Sequence, residues 1–289
     1  MSQQKMPLII TNAGDLFSSY NVLFCDVWGV VHNGRTAYEE GCEALHRFRQ
    51  GGGTVILVSN APRRAAVVAD VLAEKNVPEH CWDAIVPSGD QAVAFAAQNA
   101  ISKVHHIGPD RDLDVFDESG LERVALEDSE AMFCTGLVRD REETGEDYRE
   151  RLAFALERGQ MLICANPDLV VDVGGTLLPC AGAIAKVYED MGGKVFWAGK
   201  PFNTAYEAAL EKATELRGGA IEKSRILAIG DSVRTDIAGA VGFGIDALFI
   251  GQGIHRDAIM PDGRFVPGQL SDLFEGQPQA IAAMETLRW

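Results

Sequence analysis

Nine short apolar runs recur along the chain, rich in β-branched residues and each ending in turn formers. They lie at 22–25 (VLFC), 54–60 (TVILVSN), 83–88 (DAIVPS), 103–108 (KVHHIG), 131–136 (AMFCTG), 161–166 (MLICAN), 194–199 (KVFWAG), 226–231 (ILAIGD) and 246–251 (DALFIG). Continuous rather than alternating apolarity marks strands buried on both faces. Helical periodicity lies between many of them. One helix is expected over 62–76, opened by Pro62, with Val68, Val71 and Leu72 at i, i+3, i+4. Another is expected over about 203–216, capped by Asn203 or Thr204, with Tyr206, Ala209, Leu210 and Ala213 on one face and Gly218–Gly219 as its stop. Strands alternating with helices predict an α/β fold around a parallel sheet.

The rest of the chain changes this picture little. The acidic stretch 109–129 reads as a surface excursion. The glycine pairs at 174–175, 192–193 and 218–219, with Gly51–Gly53, read as turns, because none matches a phosphate-cradling glycine pattern. With 289 residues, 47% of them hydrophobic, the chain can bury one large core or two modest ones. A net charge of −16 argues against nucleic acid and anionic membranes as general partners. No apolar run approaches the ~18 residues of a membrane span, and the start, MSQQKMPLII, lacks a secretory pattern. The six cysteines have no metal-type spacing and read as buried thiols. A cytoplasmic protein is the expectation.

In an open parallel sheet, ligands bind beyond the carboxyl ends of the strands. Four of the runs deliver polar residues there. Asp26 follows the first, Ser59 and Asn60 the second, Lys200 the seventh, and Asp231, Ser232 and Asp236 the eighth. Each alone is ordinary: a strand-end aspartate is commonly a turn former, and a lysine before proline is commonly solvated. Their order at successive strand ends predicts convergence on one edge. The aspartates can hold Mg²⁺, a hard cation that favours carboxylate and phosphate oxygens. Lys200 and Ser59 can neutralise and hydrogen-bond a phosphoryl group, and an aspartate can attack phosphorus.

These stretches, DVWGV, VSNAP, GKP and GDSVRTD, resemble the four motifs of haloacid dehalogenase superfamily phosphatases, in order, from about residue 20 to 255. NPD at 166–168 and the run leading into GKP resemble the class IIA branch, which contains nucleotidase-like and nitrophenyl-phosphatase-like members. The resemblance implies a Rossmann-like core (1–88 and 195–289) with an inserted α/β cap (89–194). It implies Asp26 as nucleophile, Ser59 and the adjacent Asn60 at the phosphoryl group, and Lys200 as the stabilising cation. Asp231 and the Trp28 backbone carbonyl would ligate Mg²⁺, supported by Asp236. Arg63 or Arg64 could reach substrate. The substrate implied is a small phosphorylated metabolite, and homodimers through the cap occur among related enzymes.

One position departs from the pattern. Most phosphatases of the superfamily carry a second aspartate where Trp28 stands, which protonates the leaving oxygen and then activates water. An indole has a single N–H donor and no proton to exchange near neutral pH. General acid–base catalysis supplies about 10²–10⁴ in rate, so the loss should weigh most on poor leaving groups. Three readings follow: His32 replaces the acid; the substrate is a phosphonate or acyl phosphate that needs none; or the chain is a phospho-ligand-binding protein with little or no turnover. A phospho-acceptor signalling domain would be roughly half as long and uncapped. Dehalogenation is less consistent with the lysine and the paired motif-four aspartates.

Overall fold

The computed structural model describes residues 6–173 and 176–289. The predicted glycine turn at 174–175 lies outside them. The described residues divide into two compact units, one of 6–59, 69–86 and 206–289, the other of 60–68, 87–173 and 176–205.

The first unit is built on a seven-stranded sheet. Its strands are β1 (Leu8–Ile9), β2 (Val22–Cys25), β3 (Thr54–Ser59), β4 (Ala84–Pro87), β12 (Ile226–Gly230), β13 (Asp246–Ile250) and β14 (Ala282–Met284), in the spatial order β1-β14-β13-β12-β2-β3-β4. The sheet is parallel from β1 through β3 in that order. Every residue of β2, β3 and β12 is buried. This is why these runs are apolar nearly throughout: neither side of the strand meets water. The helix Asn203–Arg217 closely matches the expected span. The helix predicted over 62–76 is shorter, Ala65–Glu74. Its start falls at Ala65, whose N–H donates to Asp90 Oδ2 at 3.0 Å.

The second unit carries five parallel strands, β5 (Lys103–Ile107), β6 (Glu122–Arg123), β7 (Ala131–Cys134), β8 (Met161–Cys164) and β11 (Val195–Trp197), ordered β11-β8-β7-β5-β6. An antiparallel pair, β9 (Val170–Asp172) and β10 (Leu177–Pro179), stands apart from it. Its central strand β7 is buried on both faces, and period-two alternation sorts its residues between them. Ala131 and Phe133 join Ala92, Val93 and Ala96 on one side. Met132 and Cys134 join Leu152, Ile184 and Tyr188 on the other.

Two expectations are corrected here. The stretch 109–129 is no simple surface excursion. It contributes the edge strand β6, which pairs with β5, and buries Val115 and Leu126. The strand that precedes Lys200 does not belong to the large sheet. Val195–Trp197 pairs with Leu162–Cys164 of β8, so 195–205, like 60–68, falls in the second unit. An apolar strand carries no label for its sheet; the choice is made by the partner it hydrogen-bonds. All six cysteines are buried and none is disulfide-bonded. Among the described residues no helix is long and apolar enough to cross a membrane.

Candidate active site

The first unit gathers three of the predicted carboxylates. β2 lies between β12 and β3, with Cys25 opposite Ile229 on one side and Leu57 on the other. The ladder runs one step further, as the Asp26 N–H donates to Ile229 O at 2.8 Å. Asp26 therefore leaves the sheet between Asp231 and Ser59, which end the flanking strands. Asp26, Asp231 and Asp236 each bring a carboxylate oxygen within 4.8 Å of the others. All are nearly or fully buried, and Ser59 is 8% exposed. Three buried carboxylates at this spacing form an all-oxygen donor set of the kind a hard divalent cation takes.

The loops around them are shaped to hold these groups. Asp231 Oδ2 accepts the Ile254 N–H at 2.7 Å. Gly29 and Gly253 pack so closely on this carboxylate that a Cβ at either would overlap it, and Gly29 has φ +84° besides. After Asp231 the chain forms one wide π-turn, Val233–Ile237, begun by Ser232, whose hydroxyl accepts the Thr235 N–H. Such turns cluster at functional sites. This one returns the Asp236 carboxylate to the loop, where Oδ2 accepts the Ser232 N–H at 3.1 Å. The Tyr206 hydroxyl donates to the Asp236 carbonyl at 3.0 Å.

Trp28 is partly exposed, and its indole lies against Gly34, where a Cβ would approach Cη2 to 2.5 Å. His32 meets the indole edge-on, ring centroids 5.2 Å apart. The Gly34 N–H donates to His32 Nδ1 at 2.8 Å, which places the ring proton on Nε2. His32 is 3% exposed. Burial, and secondarily the charge of Lys75, push its pKa down to about 4. Burial thus disfavours the charged imidazole, and the ring packs edge-on against Trp28.

Lys200 and Asn60 meet in the second unit. Asn60 Oδ1 accepts the Lys200 N–H at 2.8 Å, and Asn60 Nδ2 donates to Lys200 O at 3.1 Å and to Asp168 Oδ1 at 3.0 Å. Both amide protons are thus committed, so the Asn60 side chain serves the Lys200 backbone rather than a phosphate. Arg63 is likewise committed. Its guanidinium donates to Arg111 O at 2.8 Å and faces Asp112 and Asp114 at 3.4 and 3.3 Å. Arg64 pairs with Asp90 at 2.9 Å.

The family profile described as haloacid dehalogenase-like hydrolase matches residues 23–122, and a second, HAD-hydrolase-like, matches 197–273. A haloacid dehalogenase-like hydrolase from Brucella suis 1330 is 40% identical, aligned over 96% of this chain and all of that one, with a TM-score of 0.85. The chain belongs to the haloacid dehalogenase-like hydrolase family. It is an enzyme, with the core-plus-cap architecture of the class IIA branch. A p-nitrophenyl phosphatase from Archaeoglobus fulgidus shares the fold at 20% identity and a TM-score of 0.69, covering 92% of this chain and 95% of that one. Ribonucleotide monophosphatase NagD of Escherichia coli K12 is 23% identical over 235 residues, 80% of this chain and 88% of that protein.

The groups that hold the Asp231 and Asp236 carboxylates in place were not legible in the sequence. The Ile254 N–H, Tyr206 and the close glycines carry no chemical signature of their own. Gly29 and Gly253 were visible only as glycines beside strand ends.

Proposed function

We propose that the chain is a Mg²⁺-dependent phosphatase that acts on a small phosphorylated metabolite through a covalent Asp26 phosphoenzyme. The observation that carries this reading is the convergence of Asp26, Asp231 and Asp236 within 4.8 Å. The likeness to NagD and to the nitrophenyl phosphatase, both named for activity on phosphoric esters, supports it.

Asp26, Asp231, Asp236 and the Trp28 carbonyl would hold the cation. When bound, Mg²⁺ supplies positive charge against the phosphoryl oxygens and the carboxylates. The Asp26 carboxylate attacks phosphorus, the P–O ester bond breaks, and its electron pair leaves on the alcohol oxygen. Ser59, at the end of β3, donates its hydroxyl to a phosphoryl oxygen. Lys200 neutralises charge that grows in the transition state. Water then cleaves the acyl phosphate and restores the Asp26 carboxylate.

Trp28 favours a refinement. With an indole in place of the usual acid, and burial disfavouring a charged His32, the alcohol would leave without a proton from either side chain. The enzyme would then prefer leaving groups that are stable as anions, such as phenols or acyl groups. Initial rates with Mg²⁺ and with EDTA, on p-nitrophenyl phosphate and on alkyl phosphates, test both statements when Asp26→Asn is run alongside. Turnover that persists in Asp26→Asn would end the phosphoenzyme reading. Equal rates on both ester classes would end the refinement.

A further inference from the structure

Lys200 carries its charge at the end of a flexible four-carbon stem. What the fold can set is the stretch of backbone from which that stem starts, and this stretch is gripped by two buried amides. Asn60 takes the N–H and C=O of Lys200 itself. Gln91 takes the preceding residue: its Oε1 accepts the Gly199 N–H at 3.0 Å. Gly199 has φ +95°, and a Cβ there would lie 2.6 Å from Asn60 Oδ1 and 3.0 Å from Pro167. The backbone thus enters Lys200 in a conformation that favours glycine, pressed between the two amides.

Gln91 is 9% exposed and stands in the first turns of the helix Ser88–Gln98. That helix start is itself anchored. The Ser88 hydroxyl donates to Ala165 O at 2.5 Å, and Asp90 receives the Ala65 N–H and pairs with Arg64. Gln91 Nε2 faces Pro87 O at 3.4 Å, which turns Oε1 toward Gly199. A fixed acceptor on a fixed helix therefore meets the one N–H that precedes Lys200. Loss of that acceptor would leave a buried N–H unpaired and free the loop to shift. A shift of about 1 Å in a catalytic group can cost on the order of 10²-fold.

We propose that Gln91 is a positioning residue for Lys200, acting through the Gly199 N–H. The proposal rests on the assignment of Lys200 to the phosphoryl charge made above. Gln91 touches no reacting atom, and its required property is a single acceptor at the Oε1 position. Glutamate preserves that acceptor; methionine preserves the length and removes it.

The test compares Gln91→Met, Gln91→Glu and Lys200→Ala in the full chain, with p-nitrophenyl phosphate as substrate and inorganic phosphate as inhibitor. The expected result is a kcat/KM for Gln91→Met that falls about ten- to a hundredfold, with weaker phosphate inhibition. Half-saturation by Mg²⁺ stays near wild type, and Gln91→Glu recovers most of the loss. Wild-type kinetics in Gln91→Met would overturn the proposal. So would an equal loss in Gln91→Glu, or a loss that tracks the urea midpoint rather than the acceptor. Full turnover in Lys200→Ala would instead remove the role of Lys200 on which the proposal stands, whatever Gln91 does.

Discussion

Gly253 lies against the Asp231 carboxylate with no room for a methyl group between them. The neighbouring Ile254 N–H donates to the same oxygen at 2.7 Å. One short loop thus both hydrogen-bonds and walls in a candidate metal ligand. Gly253→Ala should push Asp231 out of register with Asp26 and Asp236. The expected outcome is an activity loss on the order of 10²-fold and a higher Mg²⁺ requirement. Overpacking should cost about 1–3 kcal/mol of stability. Rates over a Mg²⁺ titration, beside a urea unfolding curve, check both.

The Asp26, Asp231 and Asp236 cluster predicts a metal-linked stability. A cation that binds only the folded state at 100 times its Kd stabilises it by about 2.7 kcal/mol. Thermal unfolding of the wild type should therefore rise with added Mg²⁺ and fall back with EDTA. In Asp231→Asn the increment should shrink or vanish. An undiminished Mg²⁺ response in that variant would place the cation elsewhere.

Trp28→Asp supplies a carboxyl where the chain has an indole. Turnover of alkyl phosphates should rise relative to p-nitrophenyl phosphate, by tenfold or more on the ~10²–10⁴ scale of general acid catalysis. The indole's packing on Gly34 and His32 is lost at the same time, at a cost of about 1–3 kcal/mol. A ratio of alkyl to aryl rates that does not move would mean that proton donation does not limit the enzyme.

His106 provides a pH prediction away from the carboxylates. Its Nε2 lies 2.9 Å from Thr135 Oγ1 and its ring meets Phe116 edge-on. Burial first, then the nearby Arg123 and His105, pushes its pKa down to about 4, with Asp110 opposing. The folded state thus binds a proton less readily than the unfolded chain, whose histidine titrates near 6.5. The stability this provides is whole above pH ~6.5 and is lost as pH falls toward 4, by roughly 1–3 kcal/mol. Urea midpoints at pH 7.5 and 5 should differ less in His106→Gln than in the wild type.

Strand positions were legible because burial on both faces leaves a short, β-branched apolar run bounded by turn residues. All nine predicted runs contain strands. The short edge elements β1 and β6 were not legible: each has two residues, both exposed, and pairing alone makes them strands. The carboxylates of the site were legible because chemistry restricts which residues can hold a cation or attack phosphorus. What His32, Arg63 and Asn60 pack against was not legible: His32 lies buried against Trp28, Arg63 faces Asp112 and Asp114, and Asn60 bonds Lys200 and Asp168.

The sequence by itself determined the fold class, the order of the motifs, and the absence of a second aspartate at Trp28, since residue type and spacing are local properties. Tertiary structure decided that β11 pairs with β8, that Asp26 lies between Asp231 and Ser59, and that Gln91 meets the Gly199 N–H. Those relations join positions far apart in the chain. They depend on which hydrogen-bond partner and which packed face each segment finds, and no run of residues encodes its partner alone.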